Sequence, residues 1–256
     1  MSPDRAKRQR PSRGKSLIPD ASPRNPAKII YIEAEGEVTE RDYCVALNNI
    51  FGTKHGFRII TPYKTKGSSP LEVAERAIRV AAQAGEQSEP GADVSPSPLQ
   101  QVWALFDRDQ HPDVLAAFAR IREHNAEAET KPGMIKVGTA FSSPSFDLWL
   151  LLHFQTVSSP LSGSNDWIHQ KLRKCPDFRR FGRDTAGSKR LTEEQAAQLL
   201  RPDRLAAAVQ NARSLVKACP VSGCSASAGH ADECDPLRRD PSTDLWRLIE
   251  ALGIMG

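Results

Sequence analysis

Apolar positions along the first 156 residues switch between short continuous runs and helical spacing. Lys28–Ala34 (KIIYIEA) predicts a strand, and Glu40–Phe51 then sets Tyr43, Ala46, Leu47, Ile50 and Phe51 at helical spacing, with Gly52 placed to end the helix. Phe57–Pro62 predicts a second strand, and Pro70–Ala84 an amphipathic helix opened by Pro70 after Ser69. Gly85–Pro98 is rich in Gly, Ser and Pro and reads as a linker. Strand Val102–Phe106, helix Val114–His124 and strand Met134–Val137 follow, and Pro144 opens the apolar run SFDLWLLLHF. This alternation predicts an α/β core over residues 27–156, a mostly parallel sheet flanked by helices. Residues 157–256 read as a mainly helical C-terminal region, with helices at Asp166–Lys174, Thr192–Leu200, Asp203–Ala218 and Ser242–Leu252. Thr192 and Gln195 have capping-box spacing, and Asp203 reads as an N-cap after Pro202. The pattern leaves open whether these helices cover the sheet or form a second small lobe. Trp103, Trp149 and Trp246 read as core residues, and His153 as hydrogen-bonded and half-buried.

Composition narrows the class. The apolar and charged fractions are those of a soluble globular chain, no apolar run approaches a membrane span, and the basic first residues have no apolar stretch behind them. These features predict a cytoplasmic protein with no membrane partner. An odd number of cysteines, five, fits a reducing compartment better than a disulfide framework. The charge of +4 is uneven: Arg5, Lys7, Arg8, Arg10, Arg13, Lys15 and Arg24 lie in a segment rich in Pro and Ser. Residues 1–26 therefore read as a disordered basic tail, either solubilising or holding nucleic-acid phosphates.

The stretch YIEAEGEVTERDY crowds Glu33, Glu35, Glu37 and Glu40 behind the first strand. Asp107 and Asp109 follow the Val102–Phe106 strand, and Asp147 lies beyond the Met134 strand. Loops at the carboxyl ends of parallel strands collect reactive groups, and adjacent strands about 4.8 Å apart let such carboxylates meet. Left alone they would repel and raise one another's pKa values; Mg²⁺ or Mn²⁺ relieves that conflict. The blander alternative makes them N-caps and turn formers, with Glu33, Glu37 and Glu40 a solvated helix start. As a calcium loop DRDQHPD fails, because Pro112 stands where glycine is required. As a phosphohydrolase motif it would make Asp107 the nucleophile and Asp109 the acid, leaving the Glu35 cluster without a task. Separately, Cys219, Cys224, His230 and Cys234 form C-x4-C-x5-H-x3-C, which suits a structural Zn²⁺ or else places incidental thiols in a loop at 219–234.

Four motifs in order, EGEVTERDY, VWALFDRDQHP, FSSPSFDLWLLLHF and DPSTDLWRLIEAL, resemble those of the RloB family of phage-defence proteins, which has a Toprim-like catalytic fold. The resemblance runs from Lys28 to Leu252. It implies a metal site on Glu35, Asp107 and Asp109, cleavage of RNA such as tRNA or of DNA, and an AAA-type ATPase encoded nearby as partner. The family's SNP-FELW motif stands here as Ser142, Ser143, Pro144, Phe146, Asp147, Leu148 and Trp149. Asp147 thus replaces a glutamate and Ser143 an asparagine, and the shorter carboxylate would bind the metal through water or not at all. The family's downstream motif, an aromatic followed closely by lysine, is poorly kept: this chain has Phe181, Arg183 and, later, Lys189, and either cation, Arg183 or Lys189, would stabilise charge developing on a scissile phosphate in a catalytic role. The surrounding CPDFRRFGRDTAGSKR, with Arg179, Arg180 and Arg183 and interleaved Phe178 and Phe181, reads as a nucleic-acid-binding face or as solvated surface. A chain that kept the fold and lost the metal would instead be a non-catalytic, nucleic-acid-binding or regulatory subunit of the ATPase.

Overall fold

Strands β1 (Lys28–Ala34), β2 (Phe57–Ile60), β3 (Leu99–Asp107) and β4 (Val137–Ser143) pair in parallel, and the two-residue β5 (Ser242–Thr243) joins β4 antiparallel. The order is β2-β1-β3-β4-β5, a mostly parallel five-stranded sheet flanked by helices, the α/β class the alternation predicts. The computed structural model describes residues 28–62, 68–86, 99–183 and 189–255. The expected basic tail and positions 87–98 of the expected linker lie outside the described residues. The central strands are apolar on both sides because helices cover both faces.

Helix α1 (Thr39–Leu47) lays Tyr43, Cys44 and Leu47 on one face. The chain does not stop at Gly52: a π turn over Asn48–Gly52 carries it into α2 (Thr53–His55), which ends at left-handed Gly56 (φ 67). The wider turn brings the Asn48 carboxamide oxygen to the Ile59 amide at 2.9 Å, satisfying a donor of the edge strand β2. Gly52 fits there because a Cβ would stand 2.9 Å from the Phe57 carbonyl oxygen.

Helices α3 (Pro70–Glu86) and α4 (Val114–Thr130) cover the opposite face, packing Val73, Ala77, Val80 and Ile121 on Ile29, Tyr31, Ala104 and Phe106. α4 outruns the expected end at His124. His124 Nε2 lies 2.9 Å from the Ile135 carbonyl, and the Asn125 carboxamide bonds both the amide and the carbonyl of Val137. These bonds aim the chain into β4, which begins where the expected Met134–Val137 strand ends. The small and polar residues of GTAFSS hide the strand from a search for apolar runs. Register pairs Trp103 with Gly138, and a Cβ at Gly138 would meet the Trp103 ring at 2.7 Å. Gly138→Ala is therefore expected to destabilise the fold by about 1–3 kcal/mol, read as a lower urea midpoint at unchanged m-value.

Helices α5 (Asp147–Leu152), α6 (Asp166–Leu172), α7 (Glu193–Leu199), α8 (Pro202–Lys217) and α9 (Leu245–Ala251) join α1 on its face. Leu148, Ile168, Leu199, Leu205, Trp246 and Ile249 share one apolar cluster with Ile30, Ile32 and Trp103, so the C-terminal helices cover the sheet. The Thr192–Gln195 capping box forms as its spacing predicts. Asp203 is not the N-cap. Pro202 occupies the first helical position, the boundary falls on Arg201, and the Asp203 carboxylate accepts from the Arg201 guanidinium at 3.1 and 3.2 Å. The last helix begins at Leu245 and not at Ser242, because Ser242 and Thr243 are drawn into β5. Trp103, Trp149 and Trp246 are buried. No helix among the described residues is long and apolar enough to cross a membrane.

His153 is buried more deeply than its expected half-buried position, at 1% exposure. Its Nδ1 lies 2.9 Å from the Trp149 carbonyl, which only accepts, so Nδ1 carries the proton and Nε2 accepts from the Tyr43 hydroxyl at 3.3 Å. Burial holds its pKa down to about 4. The unfolded chain binds this proton first, near pH 6.5, so the contribution to stability is full above that value and is lost as pH falls toward the folded value. By pH 5 the loss is about 2 kcal/mol. The gap in melting temperature between pH 7 and pH 5 is expected to narrow in His153→Gln.

Candidate functional site

The loops after β1, β3 and β4 open at the same end of the sheet around a cleft of about 570 Å³, lined among others by Glu35, Glu40, Asp107, Asp109, Asp147 and Lys189. Every residue expected to hold magnesium therefore meets Lys189 in one space. Glu35 follows β1 directly; its Oε2 accepts the Asp107 amide at 3.0 Å and its Oε1 lies 2.9 Å from His111 Nε2. Asp107 closes β3. Its Oδ2 accepts the Phe146 amide at 3.0 Å, while Oδ1 is buried without a hydrogen-bond partner. Asp109 sits in the left-handed region, φ 32, a strained conformation that aspartate tolerates better than most residues. Its amide donates to the Pro144 carbonyl at 3.0 Å, and Asn165 Nδ2 donates to its Oδ1 at 3.3 Å. Glu35, Asp109 and His111 each offer a ligand atom within 4.8 Å of the others.

The electrostatics match the crowding. Burial, reinforced by Glu40 and Glu35, pushes the Asp107 carboxyl well above the usual range against the Phe146 amide. Glu35 also rises, chiefly through burial, with the Asp107 amide and His111 opposing. Glu40, one of the residues of the solvated-helix-start alternative, is buried at the start of α1 and rises to about 7 through burial and the charges of Asp147 and Glu35. Its carboxylate fills the space a side chain on Gly36 would need, which explains the glycine between two glutamates. Glu33 belongs elsewhere: it is buried, accepting from the Tyr31 hydroxyl and Arg76 at 2.7 Å each. Glu37 lines the cleft and is exposed.

Asp147 has the opposite character. Burial alone would raise its pKa, but the His169 hydrogen bond at 2.7 Å and the Lys189 ammonium at 3.0 Å, both on Oδ2, outweigh it and hold the carboxyl below its ordinary value. Burial opposes the charge on Lys189, and Asp147, Glu40 and Asp107 overcome it, so its pKa is raised. The Lys189 carbonyl accepts from Thr39 Oγ1 at 2.8 Å, and the Leu191 amide donates to Asp42 at 3.2 Å, which ties this segment to α1. His169 packs edge-on against Phe181, ring centroids 6.0 Å apart. Phe178 and Phe181 are core residues and present no face to a base, while Arg179, Arg180 and Arg183 are exposed.

His111 contacts Glu35 and His169 contacts Asp147, and the sequence singled out neither histidine. His111 stood inside the DRDQH stretch and was legible as a neighbour of Asp109. Nothing in the spacing links His169 to Asp147; packing of α6 beside α5 makes that pair. At a second place Cys219, Cys224, His230 and Cys234 converge within 4.8 Å of one another.

No curated protein and no solved structure matches the chain at a significant level. The model of a family described as RloB-like protein matches residues 30–252, a span that holds Glu35, Asp107, Asp109, Asp147 and Lys189. The chain belongs to the RloB-like family.

Proposed function

We propose that this protein is a divalent-metal-dependent nuclease of Toprim type, cleaving RNA such as tRNA, or DNA, and working with an AAA-type ATPase encoded nearby. RloB-like membership is consistent with a phage-defence association. The observation that carries the proposal is the buried, unpartnered Oδ1 of Asp107 in a cleft that Glu35, Asp109 and a paired lysine also line. An oxygen left without a donor among like charges fits a cation, and Glu35, Asp107 and Asp109 are the residues that would hold Mg²⁺ or Mn²⁺. When bound, the ion compensates the carboxylates, polarises a phosphate oxygen and activates water.

The chain's own groups do the positioning. His111 and the Asp107 amide fix both oxygens of Glu35, and Asn165 with the Pro144 carbonyl fixes Asp109. Lys189 supplies a positive charge to receive the phosphate, held by Asp147, which His169 orients in turn. Asp147 in this reading positions the lysine and is not a metal ligand. Exposed Arg179, Arg180 and Arg183 suit contacts to a phosphate backbone. The test incubates purified protein, with and without the neighbouring ATPase, with total RNA and plasmid DNA in Mg²⁺, Mn²⁺ or EDTA. Cleavage abolished by EDTA and restored by metal is expected. Intact substrates under every condition would overturn the reading in favour of a non-catalytic subunit.

A further inference from the structure

Away from the cleft, Cys219 follows α8, and Cys224, His230 and Cys234 lie in the loop that leads to β5. All three cysteines are free thiols. Cys219 Sγ stands 3.7 Å from Cys234 Sγ, and His230 Nδ1 stands 3.6 Å from both Cys224 Sγ and Cys234 Sγ. A tetrahedral zinc with Zn–S near about 2.3 Å and Zn–N near about 2.05 Å needs S–S edges of about 3.8 Å and S–N edges of about 3.6 Å. The observed separations are those edges.

The loop has little else to hold it. Across residues 219–234 only Gly229 and Cys234 are buried, too little apolar surface to offset the entropy of ordering the segment. What order it shows points at the four ligands. Ser225 and Gly229 exchange backbone hydrogen bonds at 2.9 Å, and the Ala231 amide donates to Cys224 Sγ at 3.4 Å. His230 Nε2 bonds Ser242 Oγ at 2.8 Å, which turns Nδ1 toward the sulfurs as an outer-shell partner does in metal sites. Buried Arg239 donates to the Cys234 carbonyl at 2.6 Å, a cation suited to the net negative charge of three thiolates on one Zn²⁺.

We propose that Cys219, Cys224, His230 and Cys234 bind one structural Zn²⁺ in a closed four-ligand site, and that this site clamps β5 against the end of β4. The path is short. Ser242, held by His230, and Thr243 pair with Ser143 and Ser142, Thr243 Oγ1 lies 2.9 Å from Ser142 Oγ, and the Ser142 carbonyl accepts the Arg108 amide at 2.8 Å, between Asp107 and Asp109. The zinc site stands independently of the nuclease reading, since its ligands lie outside the cleft and its readouts are metal content, a cobalt spectrum and amide exchange, none of which needs cleavage.

The test begins with the full chain purified without chelator, whose zinc is measured by elemental analysis. About one equivalent is expected, lost in Cys224→Ser and in His230→Gln and retained in Cys175→Ser, which alters a thiol outside the cluster. Adding Co²⁺ to reduced, zinc-stripped protein should give thiolate-to-cobalt charge transfer and tetrahedral ligand-field bands. Backbone amide exchange at Arg108 and Asp244 should speed up by about tenfold when zinc is removed from the parent protein, which reads the clamp even if a cysteine variant fails to fold. Absent zinc together with an absent cobalt spectrum would overturn the site. Zinc retained equally in Cys224→Ser and His230→Gln would do the same, and unchanged exchange at Arg108 and Asp244 after zinc removal would overturn the clamp.

Discussion

Asp107→Asn is expected to lower divalent-dependent cleavage by about 10³-fold or more while raising the melting temperature of the metal-free protein. Both effects come from one atom. In the wild type, Oδ2 of Asp107 is occupied by the Phe146 amide, Oδ1 is buried with no donor, and the charges of Glu40 and Glu35 raise the pKa of the carboxyl. Asparagine keeps an oxygen for Phe146 and puts an amide donor where the orphaned oxygen stood, which removes a ligand and also relieves repulsion. The gain in stability is about 1–2 kcal/mol. Its pH dependence follows from the sign of the shift. The folded-state pKa of Asp107 is raised, so the ionised carboxyl destabilises the fold increasingly as pH climbs above the ordinary carboxylate value, and the neutral variant gains most at high pH. Melts in EDTA at pH 5 and pH 8, beside cleavage assays in Mg²⁺, measure both. Unaltered cleavage in this variant would sink the carboxylate-metal mechanism.

Lys189→Ala should reduce cleavage by about 10²- to 10³-fold, the range for loss of one group that stabilises developing phosphate charge, with little change in stability. The side chain is 49% exposed, so its pair with Asp147 adds little to folding through solvent-screened charge. Asp147→Ala should show the same kinetic loss together with destabilisation of about 2–3 kcal/mol. That carboxylate is buried, and its removal leaves His169, also buried, without its acceptor. Lys189→Arg should keep part of the activity. Single-turnover rates beside urea midpoints for the three variants separate positioning from folding. A fully active Asp147→Ala protein would show that the lysine needs no such support.

Much of the layered fold was legible because apolar periodicity is a local record of which side of an element is dry. β1 and β3 read as continuous apolar runs since helices cover both their faces, and Thr192 with Gln195 specified its own helix start. Glu35, Asp107 and Asp109 were legible for a related reason: strand ends are local events, and an acidic residue just past an apolar run marks one. β4 and β5 were not. Their pairing depends on Gly138 lying under Trp103 and on Ser142 meeting Thr243 across about a hundred residues, and a run of small and polar residues does not announce such partners. The same limit hid His169, which reaches Asp147 only because α6 packs beside α5, and left Glu40 open to a solvated reading although the tertiary fold buries its carboxyl over Gly36. Residue type and spacing determine which faces are apolar and where carboxylates can gather. Which polar groups end up dry, charged and paired was decided by long-range packing, because burial and distance set the energy of a charge.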